Sequence, residues 1–268
     1  MRREERDGVV AYRFESLPAG VEALVSTRHG GVSPAPFDTL NLGLWTDDEA
    51  ARVVENRRRL FAAYGLPLER SVWCRQVHSD GVAVVGEEDA GRGAEGEATV
   101  VPDADALVTR TPDLPLCVKV ADCVPVAIVD PERRVLGLAH AGWGGTVARI
   151  CSRTVAVMGE RFGCEPAGLV AAIGPSIGPA GYEVGAEVVA RARAAYGERA
   201  DEILAPRGEK ALLDLWAANR IDLEAAGLPS ARIEVAAIAS DERLDDFYSH
   251  RREAGRTGRF ALVVALRP

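Results

Sequence analysis

Two apolar runs joined by a short polar turn dominate the middle of the chain: Val124 to Val129, then Asp130-Pro131-Glu132, then Val135 to Ala139. Unbroken apolar runs of this length, bounded by turn residues, predict buried strands, and so short a turn predicts that they pair antiparallel. Further apolar or alternating runs predict strands at 9–14, 21–27, 72–77, 82–85, 105–109, 116–120, 169–173, 232–239 and 260–266. Helical spacing governs Val53, Val54, Leu60, Phe61 and Tyr64, behind a Thr46-to-Glu49 capping box and ahead of Gly65. On that helix Arg57, Arg58 and Arg59 are expected to form a solvated face. Val147, Ile150, Cys151, Val155, Met158 and Phe162 predict a second helix, with Cys151 and Met158 in the core, and two more are expected at 186–196 and 212–226. The Gly- and Pro-rich stretches 26–43 and 174–185 read as surface loops, and the acidic, Gly-rich stretch 86–104 as a mobile one. No repeat and no linker divides the chain, so one domain over 1–268 is expected.

The strand ends carry the chemistry. Cys123 precedes the first strand of the predicted hairpin and His140 follows the second, so antiparallel pairing brings thiol and imidazole to one end. His78 closes the strand expected at 72–77. Three readings compete for this set. The residues can be unrelated, a buried thiol and two satisfied imidazoles. Cys123 can be a nucleophile with a histidine base, in which case Asp122 is the tempting orienting carboxylate, although adjacent strand residues point to opposite faces. Or the three can be metal ligands: one Cys and two His suit a zinc ion with one open position. Copper is the less suitable ion, because a weak axial Met could come only from Met1, the first residue, or Met158, well down a predicted helix. A multicopper cluster would need more than the four histidines present. Gly142, Gly144 and Gly145 lie at the strand-to-helix turn after His140, where free backbone amides suit an anion.

Composition narrows the partners. The chain has 268 residues and a formal net charge of −8, which argues against nucleic acid and against an anionic membrane surface. Nearly half the residues are apolar, as in a globular protein. The five cysteines are odd in number, form no C-x-x-C pair and follow no secretory signal, so free thiols in a cytoplasmic protein are expected.

The stretches STRHGGVS, NLG, QVHSD, DALVT, VADCVPV, AHAGWGG, IGPSIGPAGYEVG and FYSHRREAGRTGR run in order from residue 26 to 259. Together they resemble the YfiH family, known as laccase-domain proteins, as peptidoglycan editing factor and as purine nucleoside phosphorylases. The resemblance implies a mixed α/β (α+β) fold with a central β sandwich and helices outside. Carried over residue by residue, it implies zinc ligands at His78, Cys123 and His140, which are also the expected catalytic residues. It implies phosphorolysis of purine nucleosides, methylthioadenosine among them, with inorganic phosphate as co-substrate, and deamination of adenosine, by a monomer or weak dimer. Arg28, Asn41, Gln76 and Arg251 are the expected substrate contacts, with Arg28 the first candidate for phosphate. The alternatives are a hydrolase that edits peptidoglycan precursors through Cys123 or zinc, and a zinc-binding module without catalysis. The chain departs from the family pattern at Gly144 (usually Arg), Gly181 (often Cys), Ala239-Ser240 (usually Cys-Thr), His250 (usually Tyr) and Glu253 (usually Asp). The missing Arg at 144 removes a cation beside the start of the helix.

Overall fold

The computed structural model describes residues 1–268. One sheet contains β1 (Arg2–Arg6), β2 (Val9–Arg13), β3 (Val21–Ser26), β4 (Val72–Trp73), β7 (Leu116–Val120) and β15 (Phe260–Leu266), in the order β1-β2-β3-β15-β7-β4. The other contains β5 (Val82–Val84), β6 (Ala106–Thr109), β8 (Val124–Asp130), β9 (Val135–Ala141), β10 (Val170–Ile173) and β14 (Ile233–Val235), in the order β14-β10-β8-β9-β6-β5. Both are mixed: β4 runs parallel to β7, β5 to β6 and β10 to β14, and the other pairs are antiparallel. A small third sheet holds β11 (Glu183–Val184), β12 (Leu204–Arg207) and β13 (Lys210–Leu213).

Alternation along the strands builds the layers. Leu116, Val118, Leu262 and Val264 of the first sheet meet Leu107, Ala127, Val129, Leu136 and Leu138 of the second in one core. The alternate residues Cys117, Ala261 and Val263 pack outward with Leu60 and Phe61 of helix α1 (Ala50–Ala63). Val124, Val126 and Ile128 pack outward on the other side, against α3 (Ile150–Phe162), α4 (Ala186–Tyr196) and α5 (Leu215–Ala225). Successive side chains of a strand point to opposite faces, so strands buried on both faces read as continuous apolar runs rather than alternating ones. This is the expected sandwich with helices outside. No helix is long and apolar enough to cross a membrane.

Several expectations are corrected. Arg57 is not solvated: it is 1% exposed, its guanidinium lies 3.7 Å from the centre of the Trp73 ring, and it donates to the carbonyls of Leu42, Gly93 and Ala94. The capping box does not form. Glu49 is the N-cap residue, with no side-chain cap bond, while Thr46 Oγ1 donates to the Gly43 carbonyl in the preceding loop. The helix expected from Val147 breaks at Arg149, whose φ of 64° separates a short α2 (Trp143–Val147) from α3. The helix expected from 212 begins at Leu215, because Lys210–Leu213 belongs to β13. The runs at 72–77 and 232–239 hold strands only at Val72–Trp73 and Ile233–Val235. In stretches 26–43 and 86–104, Phe37, Leu40, Asn41, Leu42, Ala94 and Val101 are buried, so these loops add to the core rather than lie wholly on the surface.

Candidate metal centre and its cavity

The central hairpin pairs Val124 with Ala141 and Pro125 with His140. Cys123 therefore stands at the same end as His140, as its position before the strand predicts. His78 arrives from a non-strand segment with a left-handed backbone, φ 61°. His78 Nε2 lies 3.8 Å from Cys123 Sγ, and the two imidazole rings meet edge-on with centres 4.9 Å apart. One donor atom from each of the three residues lies within 4.8 Å of the others. With Zn–N near 2.1 Å and Zn–S near 2.3 Å, tetrahedral ligand atoms stand roughly 3.5 Å apart, so the set fits a small shared cation with little contraction.

Asp105 holds the set in place. It is fully buried and accepts from Nδ1 of His140 at 2.9 Å, from the amides of Val77, His78 and Ser79, and from the Ser79 hydroxyl. Burial raises its carboxyl, but hydrogen bonds from His140 and the Ser79 amide outweigh that and hold its pKa near about 2. A carboxylate can only accept, so Nδ1 of His140 carries the proton and Nε2 keeps its lone pair for a metal. Burial lowers the pKa of His140 despite the bond it donates to Asp105, which favours the neutral, ligating imidazole.

Burial, and then the charge of Asp122, push the Cys123 thiol up to about 12. A thiol raised this far is a poor free nucleophile, and its thiolate would need a cation such as a bound metal to form at neutral pH. Asp122 is not the orienting group: with φ 83°, it accepts from the Ser240 hydroxyl and the Arg251 amide and tethers those two segments.

Two glycines let the donors converge. A Cβ on Gly142 would lie 2.7 Å from His78 Cδ2 and 3.0 Å from Cys123 Sγ. A Cβ on Gly144 would lie 2.8 Å from the His78 carbonyl oxygen.

The three donors line a cavity of about 540 Å³. Trp45, Gln76, Lys119, His250 and Arg259 share the wall, and no carboxylate lines it. Of the residues expected to touch substrate, only Gln76 lies there. Its side-chain amide pairs with the backbone of Lys119, donating to the carbonyl at 2.7 Å and accepting from the amide at 2.9 Å. Asn41 is buried and accepts from the amides of Gly43 and Arg259, so it positions the cavity wall from behind. Arg28 lies elsewhere: it donates to the carbonyls of Asp38 and Leu244 and stacks over Tyr248, 4.7 Å from the ring centre. Arg251 donates to the Glu183 carbonyl and covers Tyr182, outside the cavity lining. Sequence reasoning missed Asp105, Lys119 and Arg259 as site residues. The DALVT and AGRTGR stretches that contain Asp105 and Arg259 were the available signal.

A family model described as multi-copper polyphenol oxidoreductase laccase matches residues 22–267. A protein of Geobacillus stearothermophilus named purine nucleoside phosphorylase YlmD is 40% identical over 253 residues, covering 93% of this chain and 91% of the relative. A Deinococcus radiodurans protein named purine nucleoside phosphorylase is 43% identical over 241 residues, covering 90% of this chain and 87% of the relative. The crystal structure of the Bacillus licheniformis hypothetical protein YfiH superposes with a TM-score of 0.93 at 33% identity, over 97% of each chain.

Proposed function

Since the chain belongs to the family described as multi-copper polyphenol oxidoreductase laccase, with YlmD- and YfiH-named relatives, we propose that it is a zinc-dependent purine nucleoside phosphorylase acting in the cavity at His78, Cys123 and His140. The observation that carries the proposal is the convergence of these donors on a carboxylate-free cavity large enough for a nucleoside. The relatives' names supply the substrate class. Zinc is the ion of choice, because two imidazoles and one thiolate suit it and Met158 is buried in the core of α3 rather than near the donors. Only two of the four histidines belong to the donor set, since His250 lies on the cavity wall and His29 pairs with Asp246, so a multicopper centre is not proposed.

In the phosphorolysis a phosphate oxygen forms a bond to the ribose C1′ as the C1′–N9 bond breaks. The electron pair goes to the purine, which gains a proton to leave as the free base, and ribose 1-phosphate remains. A bound zinc ion would supply a Lewis acid at the open coordination position. Asp105 fixes the His140 tautomer, and the exposed face of Trp45 offers a flat apolar surface for a purine ring. Methylthioadenosine presents the same bond and belongs to the same proposal. So does deamination of adenosine, in which water replaces the C6 amino group and ammonia leaves.

The test is chromatography of adenosine incubated with the protein, with and without phosphate, beside Cys123→Ala. Adenine formed only with phosphate, or inosine formed without it, and neither with the variant, supports the proposal. Absence of both products with the native protein, or full activity in Cys123→Ala, overturns it.

A further inference from the structure

Lys119 lies on β7 with its side chain turned into the cavity wall, and it is only 8% exposed. Its Nζ donates to the Cys74 carbonyl at 3.0 Å and stands 4.7 Å from the centre of the Trp45 ring. An ammonium has three N–H donors, so two remain without a partner in the chain. Arg259 is a second cation on the same wall. Its Nη1 is held by the carbonyls of Thr257 and Gly258, while Nε and Nη2 make no hydrogen bond within the chain. Both backbones are fixed: Gln76 clamps the peptide of Lys119, and Asn41 accepts from the amide of Arg259. Gly43 leaves room for Arg259, since a Cβ there would lie 2.7 Å from its Cγ.

The chain carries a net charge of −8, yet this wall holds the buried Lys119 and the part-buried Arg259 and no carboxylate. Burying a charge is costly unless a partner compensates it. Burial brings Lys119 down to about 8, and the guanidiniums of Arg57 and Arg259 push in the same direction. The partner that would relieve both groups is an anion with several acceptor oxygens.

We propose that Lys119, with Arg259 beside it, binds the phosphate co-substrate through its two free N–H donors, with the aromatic face of Trp45 and the Cys74 carbonyl aiming its ammonium. This rests on the phosphorolytic reading and replaces Arg28 as the phosphate contact. Arg28 is engaged with Asp38, Leu244, Glu253 and Tyr248, away from the metal donors.

The test is calorimetric titration of inorganic phosphate into the native protein and into Lys119→Met, which keeps the length and apolar contacts of the side chain. Metal content and thermal melting are measured alongside, and Lys119→Gln replaces the Met variant if that one does not fold. The expected result is phosphate affinity weakened roughly tenfold or more in the variant, as loss of a hydrogen bond from a charged donor implies, at unchanged metal content. Equal affinity in both proteins overturns the assignment of Lys119, and no phosphate binding to the native protein overturns the site. Nucleoside cleavage is read separately. Phosphate binding that depends on Lys119, in a protein that cleaves no nucleoside, keeps the anion site and sinks the phosphorolytic reading.

Discussion

Asp105 receives Nδ1 of His140 at 2.9 Å, and the same carboxylate receives the backbone amide of His78 at 3.0 Å. One buried side chain thus positions two of the three proposed metal donors, one by its ring and one by its backbone. Asp105→Asn removes the charge and presents an amide that can donate toward Nδ1, favouring the tautomer in which Nε2 carries the proton. Replacing such an orienting partner typically weakens metal binding by about 10- to 100-fold. Competition titration with a zinc chelator should show that loss, and native affinity in the variant would refute the orienting role.

The metal-free protein should lose stability in two acid steps. The pKa of His140 is lowered in the folded state, so below its ordinary 6.5 the unfolded chain takes up a proton that the folded chain refuses. Stability falls as pH drops from about 7. Asp105 is held near about 2, from an ordinary 3.8. Its contribution is intact above 3.8 and is lost as pH falls through about 2. That contribution is on the order of 2 kcal/mol. Thermal melts of chelator-treated protein against pH should show both steps, and His140→Asn should flatten the first. An unchanged slope above pH 5 in that variant would remove His140 as its source.

What the sequence displayed, and what it hid, follows from how local each signal is. The hairpin was legible because β8 and β9 are continuous apolar runs around a short turn, and its register brings Cys123 and His140 together. The partnership of Asp105 with residues 77–79 and 140 was hidden because it joins segments distant in the chain. Arg57 was open to a better reading. It lies three or four residues from Val53, Val54, Leu60 and Phe61, so helical spacing places it on the apolar stripe, although its neighbours Arg58 and Arg59 do face solvent. The strands of the small third sheet are two to four residues long and carry too little pattern to be seen.

Gly144 stands where the resemblance leads to an expected Arg, yet here a Cβ would press to 2.8 Å on the His78 carbonyl oxygen. Gly144→Ala must therefore move the backbone of His78, a proposed metal donor. Overpacking of this kind costs about 1–3 kcal/mol, and the displacement should also weaken zinc binding. Differential scanning calorimetry with and without zinc reads both effects. A variant with native melting temperature and native zinc affinity would show that the turn yields freely, and Gly144→Arg would then be a simple way to restore the missing cation.

Arg57 joins α1 to the first sheet and to the loop around Gly93 and Ala94. Its guanidinium lies against the Trp73 ring, and it donates to three backbone carbonyls while wholly buried. Burial lowers its pKa to about 9, so it stays charged at neutral pH. Arg57→Met removes the cost of burying that charge but leaves the carbonyls of Leu42, Gly93 and Ala94 without their donor, at about 1–3 kcal/mol for each buried group left unpaired. The unpaired carbonyls outnumber the single charge removed, so the net change is destabilising, on the order of 3 kcal/mol. Arg57→Lys recovers only part of this, because one ammonium cannot reproduce the planar fork that spans Leu42 on one side and Gly93 and Ala94 on the other. Urea unfolding followed by tryptophan fluorescence should rank native above Lys above Met, whereas a Met variant as stable as the native protein would mean that water reaches those carbonyls when the guanidinium is gone.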